Sequence, residues 1–228
     1  MTPPFHSASS PAKRSWKRFG SKSKILSKQF SRHGILFVIS APSGAGKTTL
    51  VEALRQTPNF VYSVSCTTRA PRGGEIEGED YQFLSDADFR ARVKAGDFLE
   101  HAQVHGDFYG TLRKPVVTNL KNGVDVLIDI DTQGAAAIRN CDDPFVRQAL
   151  TDVFIMPPDL EELRRRLMKR GTETRRQIDS RLVTAAREME LWRDYRYTII
   201  SRSVEEDLQK FRHIMGAEGY LSRRLIQK

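Results

Sequence analysis

Not one aspartate or glutamate occurs in the first 33 of the 228 residues, although that stretch carries eight Lys and Arg side chains. This absence changes the meaning of the overall charge. The whole chain holds 37 Lys plus Arg against 28 Asp plus Glu, a formal +9, which by itself would suggest a nucleic-acid or anionic-membrane partner. With the acid-free stretch set aside, 29 cations face 28 anions over the other 195 residues. The excess therefore belongs to a Ser-, Pro-, Lys- and Arg-rich tail, residues 1–33, expected to be disordered. No specific nucleic-acid partner is expected for the rest.

Cysteine is nearly missing. Cys66 and Cys141 are the only two, too few for a disulfide framework and in no CxxC or Cys/His spacing suited to zinc. Both read as reduced packing residues of a cytoplasmic protein. No run approaches the roughly 18 to 20 apolar residues of a membrane span, and the N-terminus lacks a secretory h-region, so a soluble, unsecreted protein with no membrane partner is expected. The acid-free, Ser-rich start also has the composition of an organellar transit peptide, which is the alternative location. There is no internal repeat, and 195 residues suit one domain.

At Gly34 the texture changes. Ile35-Leu36-Phe37-Val38-Ile39 is too short for a buried helix and rich in strand-favouring residues, which predicts a strand buried on both faces. A Gly-rich turn follows, then helical spacing over 48–54. The alternation recurs: strands over 124–130, 153–156 and 197–200, and helices over about 159–169, 174–192 and 203–226, with Asp159/Glu162 and Ser203/Glu206 as capping boxes. This pattern predicts an α/β fold with a parallel-sheet core and helices on both faces. Short alternating pieces between 60 and 112 predict a small mixed or antiparallel sheet inserted into that core.

The turn after the first strand is Ala41-Pro42-Ser43-Gly44-Ala45-Gly46-Lys47-Thr48. It fits the phosphate-binding P-loop G-x-x-x-x-G-K-[ST], with Ala41 where the first Gly is expected. Backbone N–H groups at a helix N-terminus cradle phosphate oxygens, Lys47 reaches the β and γ phosphates, and the Thr48 hydroxyl is the expected magnesium ligand. Residues Ala41 through Thr48, with Thr49 beside them, are the expected ATP-binding segment. A P-loop identifies the donor and leaves the reaction open.

The acceptor is sought in Ser63-Val64-Ser65-Cys66-Thr67-Thr68-Arg69-Ala70-Pro71-Arg72-Gly73-Gly74-Glu75-Ile76-Glu77-Gly78-Glu79-Asp80-Tyr81. Two arginines three apart, with Pro71 stiffening the turn, suit a clamp on a phosphate. Downstream come Phe98-Leu99-Glu100-His101-Ala102, Phe108-Tyr109-Gly110-Thr111 and Asp129-Ile130-Asp131-Thr132-Gln133-Gly134. In this order and spacing, over about residues 35–226, these motifs strongly resemble guanylate kinase.

The resemblance implies MgATP as phosphoryl donor, GMP and dGMP as acceptors, and a P-loop core carrying a small mixed β GMP-binding subdomain and a helical lid. The implied division is core 34–59, 112–165 and 190–228, GMP-binding subdomain 60–111, and lid about 166–189. Counterparts of Arg69, Arg72, Tyr81 and Tyr109 hold the GMP phosphate in that family, those of Ser65, Glu100 and Thr111 read the base, and Asp129 lies between the nucleotides. Glu100 suits its part because guanine presents N1–H and the 2-amino group side by side, two donors for one carboxylate. Asp131 is expected to support the site through hydrogen bonds, with Gln133-Gly134 opening the next helix.

Arg166, Arg170 and Arg181 match the family's lid arginines around a tip at 171–174; with Lys47 they are the expected catalytic cations of a transfer that depends on positioning and charge neutralisation, and Arg166 and Arg170 are also expected to bind ATP. Arg166 and Arg170, four apart, share a helix face. Two departures from the family stand out. Arg175 and Arg176 replace acids early in the lid helix, and Ile200-Ser201-Arg202 replaces V-N-D, so the adenine contact differs. His101 and His105 read as packing or edge polarity, and Trp192 as packing on the lid helix. A non-catalytic phosphopeptide-binding relative of the family is the alternative; it would need neither Lys47, Thr48 nor the lid arginines. Oligomeric state is not legible.

Overall fold

The computed structural model describes residues 30–57, 59–104, 106–171 and 174–227. Its central strand is β2 (Leu36–Ser40), every residue of which is buried. Because side chains alternate across a strand, Leu36 and Val38 face one core cluster while Ile35, Phe37 and Ile39 face another. Continuous apolar sequence is the signature of a strand covered on both sides.

Parallel neighbours complete this sheet: β3 (Val61–Tyr62), β8 (Val126–Asp129), β9 (Leu150–Met156) and β10 (Tyr197–Ile200), in the order β10-β9-β2-β8-β3. On one face pack α3 (Arg113–Lys121), α4 (Thr132–Arg139) and α5 (Pro144–Ala149), through Val116, Leu120, Ala135, Ile138 and Val146. On the other lie α1 (Lys47–Arg55) and α8 (Val204–Gly219), through Leu50, Val51, Leu54 and Phe211. The expected α/β core with helices on both faces is present. Ser40 Oγ donates to the carbonyls of Ile130 (3.0 Å) and Asp131 (3.2 Å), joining the ends of β2 and β8 where open α/β sheets place their ligands.

A second, mixed sheet runs β5-β4-β7-β6, from β4 (Cys66–Thr67), β5 (Gln82–Phe83), β6 (Phe98–Val104) and β7 (Asp107–Leu112). Only β4 and β5 are parallel. Its own cluster of Cys66, Phe89 and Phe98 includes a helix that no periodicity suggested, α2 (Asp86–Ala95), which buries Phe89 alone and is set by its Ser85 and Gly96 caps. Helices α6 (Leu160–Arg170) and α7 (Arg175–Met189) pack through Leu163, Leu167, Ile178, Leu182 and Ala185.

Several expectations need correction. Residues 30–33 were assigned to a disordered tail, yet Phe30–Arg32 forms β1, antiparallel to β11 (Leu225–Gln227). Arg32 forks onto Asp125, 93 residues away; a three-residue strand is shorter than any periodicity window, so only its partners define it. The last helix ends at Gly219 rather than 226, because Arg224 turns inward to donate to Glu218 Oε2 (2.6 Å) and Thr151 Oγ1 (2.8 Å). The helix expected to reach 192 ends at Met189, and Trp192 sits in a 3-10 turn, Glu190–Asp194. Trp192 is 39% exposed, with the Arg193 guanidinium over its ring. Asp159 accepts from Glu162 N as a cap, but the Glu162 carboxylate pairs with Arg165 and Arg166 instead of closing the box. The rest of the tail, residues 1–29, together with His105 and lid-tip residues 172 and 173, lies outside the described residues.

Candidate functional site

The loop from Ala41 to Gly46 leaves β2 and enters α1 with Gly44 at φ 88° and Gly46 at φ 99°, backbone that other L-residues seldom adopt. Pro42 and Ala45 are buried, and Thr48 and Thr49 are exposed on the first turn of α1. Lys47 Nζ donates to Asp129 Oδ2 (3.1 Å) and to the Ile130 carbonyl (3.4 Å). The other Asp129 oxygen accepts from the Tyr62 hydroxyl at 2.6 Å. Ser43 N donates to Glu188 Oε2 (2.9 Å), so a carboxylate of α7 fastens the loop.

Lys47 and Thr48 line a cavity of about 560 Å³. The same cavity is lined by Ser65, Arg69, Arg72, Tyr81, Glu100 and Tyr109, from the mixed sheet and the segment joining β4 to β5, and by Asp129. Of the expected ATP set only Lys47 and Thr48 line this space, and of the expected GMP set all but Thr111.

Arg69 is oriented by Glu75, whose two oxygens accept from its NH1 (3.0 Å) and NH2 (2.8 Å). Glu75 Oε2 also accepts from Arg72 N at 2.7 Å, closing the turn that carries both arginines. Arg69 lies over the Tyr81 ring, 5.3 Å from its centre, and its Nε is buried with no protein partner. A buried unpaired donor between two tyrosines suits an anionic ligand. Arg72 is exposed at the rim.

Glu100 is 5% exposed on β6. Its Oε1 accepts from the wholly buried Thr111 hydroxyl at 2.6 Å. Burial raises its pKa to about 7; the Thr111 hydrogen bond opposes this and nearby Asp131 adds to it. A carboxylate so poorly solvated gains strongly from a ligand offering paired N–H donors.

Asp131 caps α4, accepting from Gly134 N at 2.8 Å, and the helix opens at Thr132 as the motif suggested. Gly134 is there for space. A Cβ at this position would sit 2.6 Å from Glu100 Oε2, and that carboxylate is held by Thr111 and cannot step aside. Gly134→Ala is therefore expected to raise the concentration of acceptor needed for half-saturation by about tenfold or more, as a clash of 1–3 kcal/mol would, with the ATP requirement within twofold of wild type. Steady-state kinetics with each substrate varied in turn checks this.

The arginines of α6 and α7 divide. Arg166 is committed: NH1 donates to the Ala45 carbonyl (2.9 Å) and Ser201 Oγ (3.1 Å), NH2 to the Ser201 carbonyl (2.9 Å), and Nε to Glu162 (2.8 Å). Its two partners, Arg165 and Arg166, hold Glu162 down at about 2. Arg166 thus bolts α6 to the phosphate loop and to the end of β10, with Ser201 buried beneath it. Arg170 and Arg181 are exposed and do not line the cavity. His101 meets the rings of Phe89 and Phe98 edge-on, the packing contact expected of it. Cys66 is buried, its thiol pushed up to about 11 by desolvation, and Cys141 is half-buried; both are free.

Tyr62, Glu75, Gly134 and Glu188 were not singled out as site residues from sequence. Glu75 had a signal in its place three residues after Arg72; Tyr62 and Glu188 had none.

A family model described as guanylate kinase matches residues 33–218. The guanylate kinase of Ruegeria pomeroyi is 43% identical over 188 residues, covering 82% of this chain and 87% of that protein. That of Clostridium tetani is 40% identical over 185 residues, covering 81% and 86%. The crystal structure of guanylate kinase from Anaplasma phagocytophilum aligns with a TM-score of 0.70 at 36% identity, covering 86% of this chain and 92% of that one.

Proposed function

The chain belongs to the guanylate kinase family and is an enzyme that phosphorylates GMP with ATP, and from that premise we propose how its cleft divides the work. The observation that carries the reading is the single cavity lined both by Lys47 and Thr48 and by Arg69, Tyr81, Glu100 and Tyr109. The P-loop amides and Lys47 take the ATP phosphates. Arg69, Arg72, Tyr81 and Tyr109 take the GMP phosphate, and Glu100, supported by Thr111 and Ser65, reads guanine through N1–H and the 2-amino group. An oxygen of the GMP phosphate then attacks the γ-phosphorus in line while the bond to ADP breaks, with no covalent enzyme intermediate.

Lys47, released from Asp129, neutralises charge on the donor. Arg170 and Arg181 reach the transferring group when the lid, about 166–189, closes; Arg166 anchors the lid base to the loop. The separate apolar clusters of α6/α7 and of the mixed sheet support treating the lid and the stretch from β4 to β7 as units beside the core, whereas Phe60 and Val61–Tyr62, the start of the expected 60–111 subdomain, pack and pair with the core sheet. No cluster of three or more acidic, His or Cys side chains able to hold a metal occurs among the described residues. The Thr48 hydroxyl, which lines the cavity beside Lys47, would hold Mg²⁺ brought in with the nucleotide. The ion would supply charge neutralisation on the donor phosphates.

A cytoplasmic setting agrees with two free cysteines; among the described residues no helix is long and apolar enough to cross a membrane. A coupled ADP-release assay with GMP, dGMP, AMP and UMP tests the acceptor assignment. GMP and dGMP should be turned over, AMP and UMP at most about 10⁻⁴ as efficiently, because the wrong base leaves the buried carboxylate unpaired. Comparable rates with AMP would contradict it.

A pH dependence follows. Guanine pairs with ionised Glu100, and the group titrates near 7. Above pH 7 the carboxylate is already charged and the GMP requirement is flat. Below it a proton must leave before GMP binds, so KM for GMP should rise toward tenfold per pH unit. The GMP phosphate, with its own pKa near 6, adds a component that persists in Glu100→Gln, so the difference between the two profiles isolates the carboxylate. Identical profiles would contradict the assignment.

A further inference from the structure

Arg55, the last residue of α1, joins two parts of the molecule that carry different substrates. Its NH2 donates to the Glu79 carbonyl at 3.0 Å, and NH1 lies 3.9 Å from Asp80 Oδ1. That places a cation from the helix following the phosphate loop on the turn immediately before Tyr81. The turn is well defined: Asp80 Oδ2 accepts from Ile76 N, and Gly78 N donates to the Tyr81 carbonyl. Tyr81 in turn meets the Tyr109 ring and supports Arg69. Arg55 therefore seats the segment that carries the acceptor-phosphate groups.

The same guanidinium lies 4.6 Å from the centre of the Tyr62 ring. Tyr62 is the last residue of β3, at the edge of the core sheet, and its hydroxyl donates to Asp129 Oδ1 at 2.6 Å while Lys47 donates to Oδ2. Arg55, Tyr62, Asp80, Tyr81 and Asp129 all line the shared cavity. The links run without a gap from the acceptor turn, through Arg55 and Tyr62, to the carboxylate that holds the donor lysine.

We propose that Arg55 and Tyr62 form a positioning pair that docks the acceptor turn against the core and fixes Asp129, so that the two nucleotides meet in register. The proposal rests on the acceptor assignment above. Neither residue needs to touch a reacting atom. With Arg55 and Asp80 both about one-third exposed, their ion pair contributes little to global stability, so its effect should appear in kinetics rather than in melting. Misplacing a bound phosphate by about 1 Å can cost about a hundredfold in rate.

The test uses the full chain with Arg55→Met, Arg55→Lys, Tyr62→Phe and the Arg55→Met/Tyr62→Phe double variant, each measured for KM and kcat with GMP and ATP and for Tm. Arg55→Met should raise KM for GMP about tenfold and leave KM for ATP within twofold. Arg55→Lys, which keeps the charge but not the planar fork, should recover part of the loss. Tyr62→Phe should lower kcat severalfold. The double variant should lose clearly less than the product of the two single losses, since both act on one connection. Multiplicative losses, or a lowered Tm with unchanged KM and kcat, would overturn the proposal. Wild-type failure to phosphorylate GMP would instead remove the acceptor assignment and leaves a different signature from either.

Discussion

Lys47→Met is expected to reduce kcat by about 10³ while the affinity for GMP stays within about twofold of wild type. Nearly all the catalysis available to a phosphoryl-transfer enzyme comes from placing charge against the phosphates in advance, and losing one preorganised donor typically costs about 10² to 10³ in rate. Lys47 is that donor here. The first turn of α1 places it, and its ammonium lies in the cavity, 3.1 Å from Asp129 before the donor binds. GMP binding should survive because Glu100, Thr111 and Arg69 are held by Thr111–Glu100 and Arg69–Glu75 contacts that do not include the lysine. Isothermal titration with GMP alongside steady-state turnover separates the two effects. A parallel loss of GMP affinity would mean that Lys47 organises the acceptor half as well.

The second large effect falls on selectivity. Glu100→Gln should lower kcat/KM for GMP by about 10³ and bring the ratio of GMP to AMP down by a similar factor. Glutamine keeps the shape and the Thr111 contact but presents one acceptor and one amide donor to a base that offers two donors. Two charge-assisted hydrogen bonds, each contributing about 1.5–3 kcal/mol, are lost or reversed. The variant should be no less stable than wild type. Ionising a carboxyl whose folded-state value stands near 7 costs folding free energy as pH rises from its unfolded value toward 7, and the amide is exempt from that cost. A Glu100→Gln enzyme that still preferred GMP by the wild-type factor would place the reading of guanine elsewhere.

What could be seen in the sequence was whatever the chain writes contiguously. The P-loop is one stretch from β2 into α1, whose residue types and spacing already point to phosphate, and the acceptor residues lie in short contiguous motifs whose roles the family resemblance supplied. The parallel core was legible for the same reason: the run Ile35–Ile39, buried on both faces, holds no polar side chain. The contacts that tune the site are between distant positions. Ser43 meets Glu188 across 145 residues, Arg166 meets Ala45 across 121, and the space Gly134 leaves for Glu100 exists only once α4 lies beside β6. The family resemblance placed Arg166 among the lid cations, but neither it nor helix periodicity says what that face touches. Short elements were the least legible. β1 is defined by its partner β11 and by Asp125, and α2 by its caps rather than by an apolar stripe.

The account turns on a single cleft in which the γ-phosphoryl passes from ATP directly to GMP, and following a mixture of enzyme, MgATP and GMP by ³¹P NMR tests it most directly. ADP and GDP signals should grow in equal amounts, with no inorganic phosphate, and GMP replaced by AMP should leave the ATP signals unchanged over the same interval. Accumulation of inorganic phosphate without GDP, or transfer to AMP at a comparable rate, would contradict it.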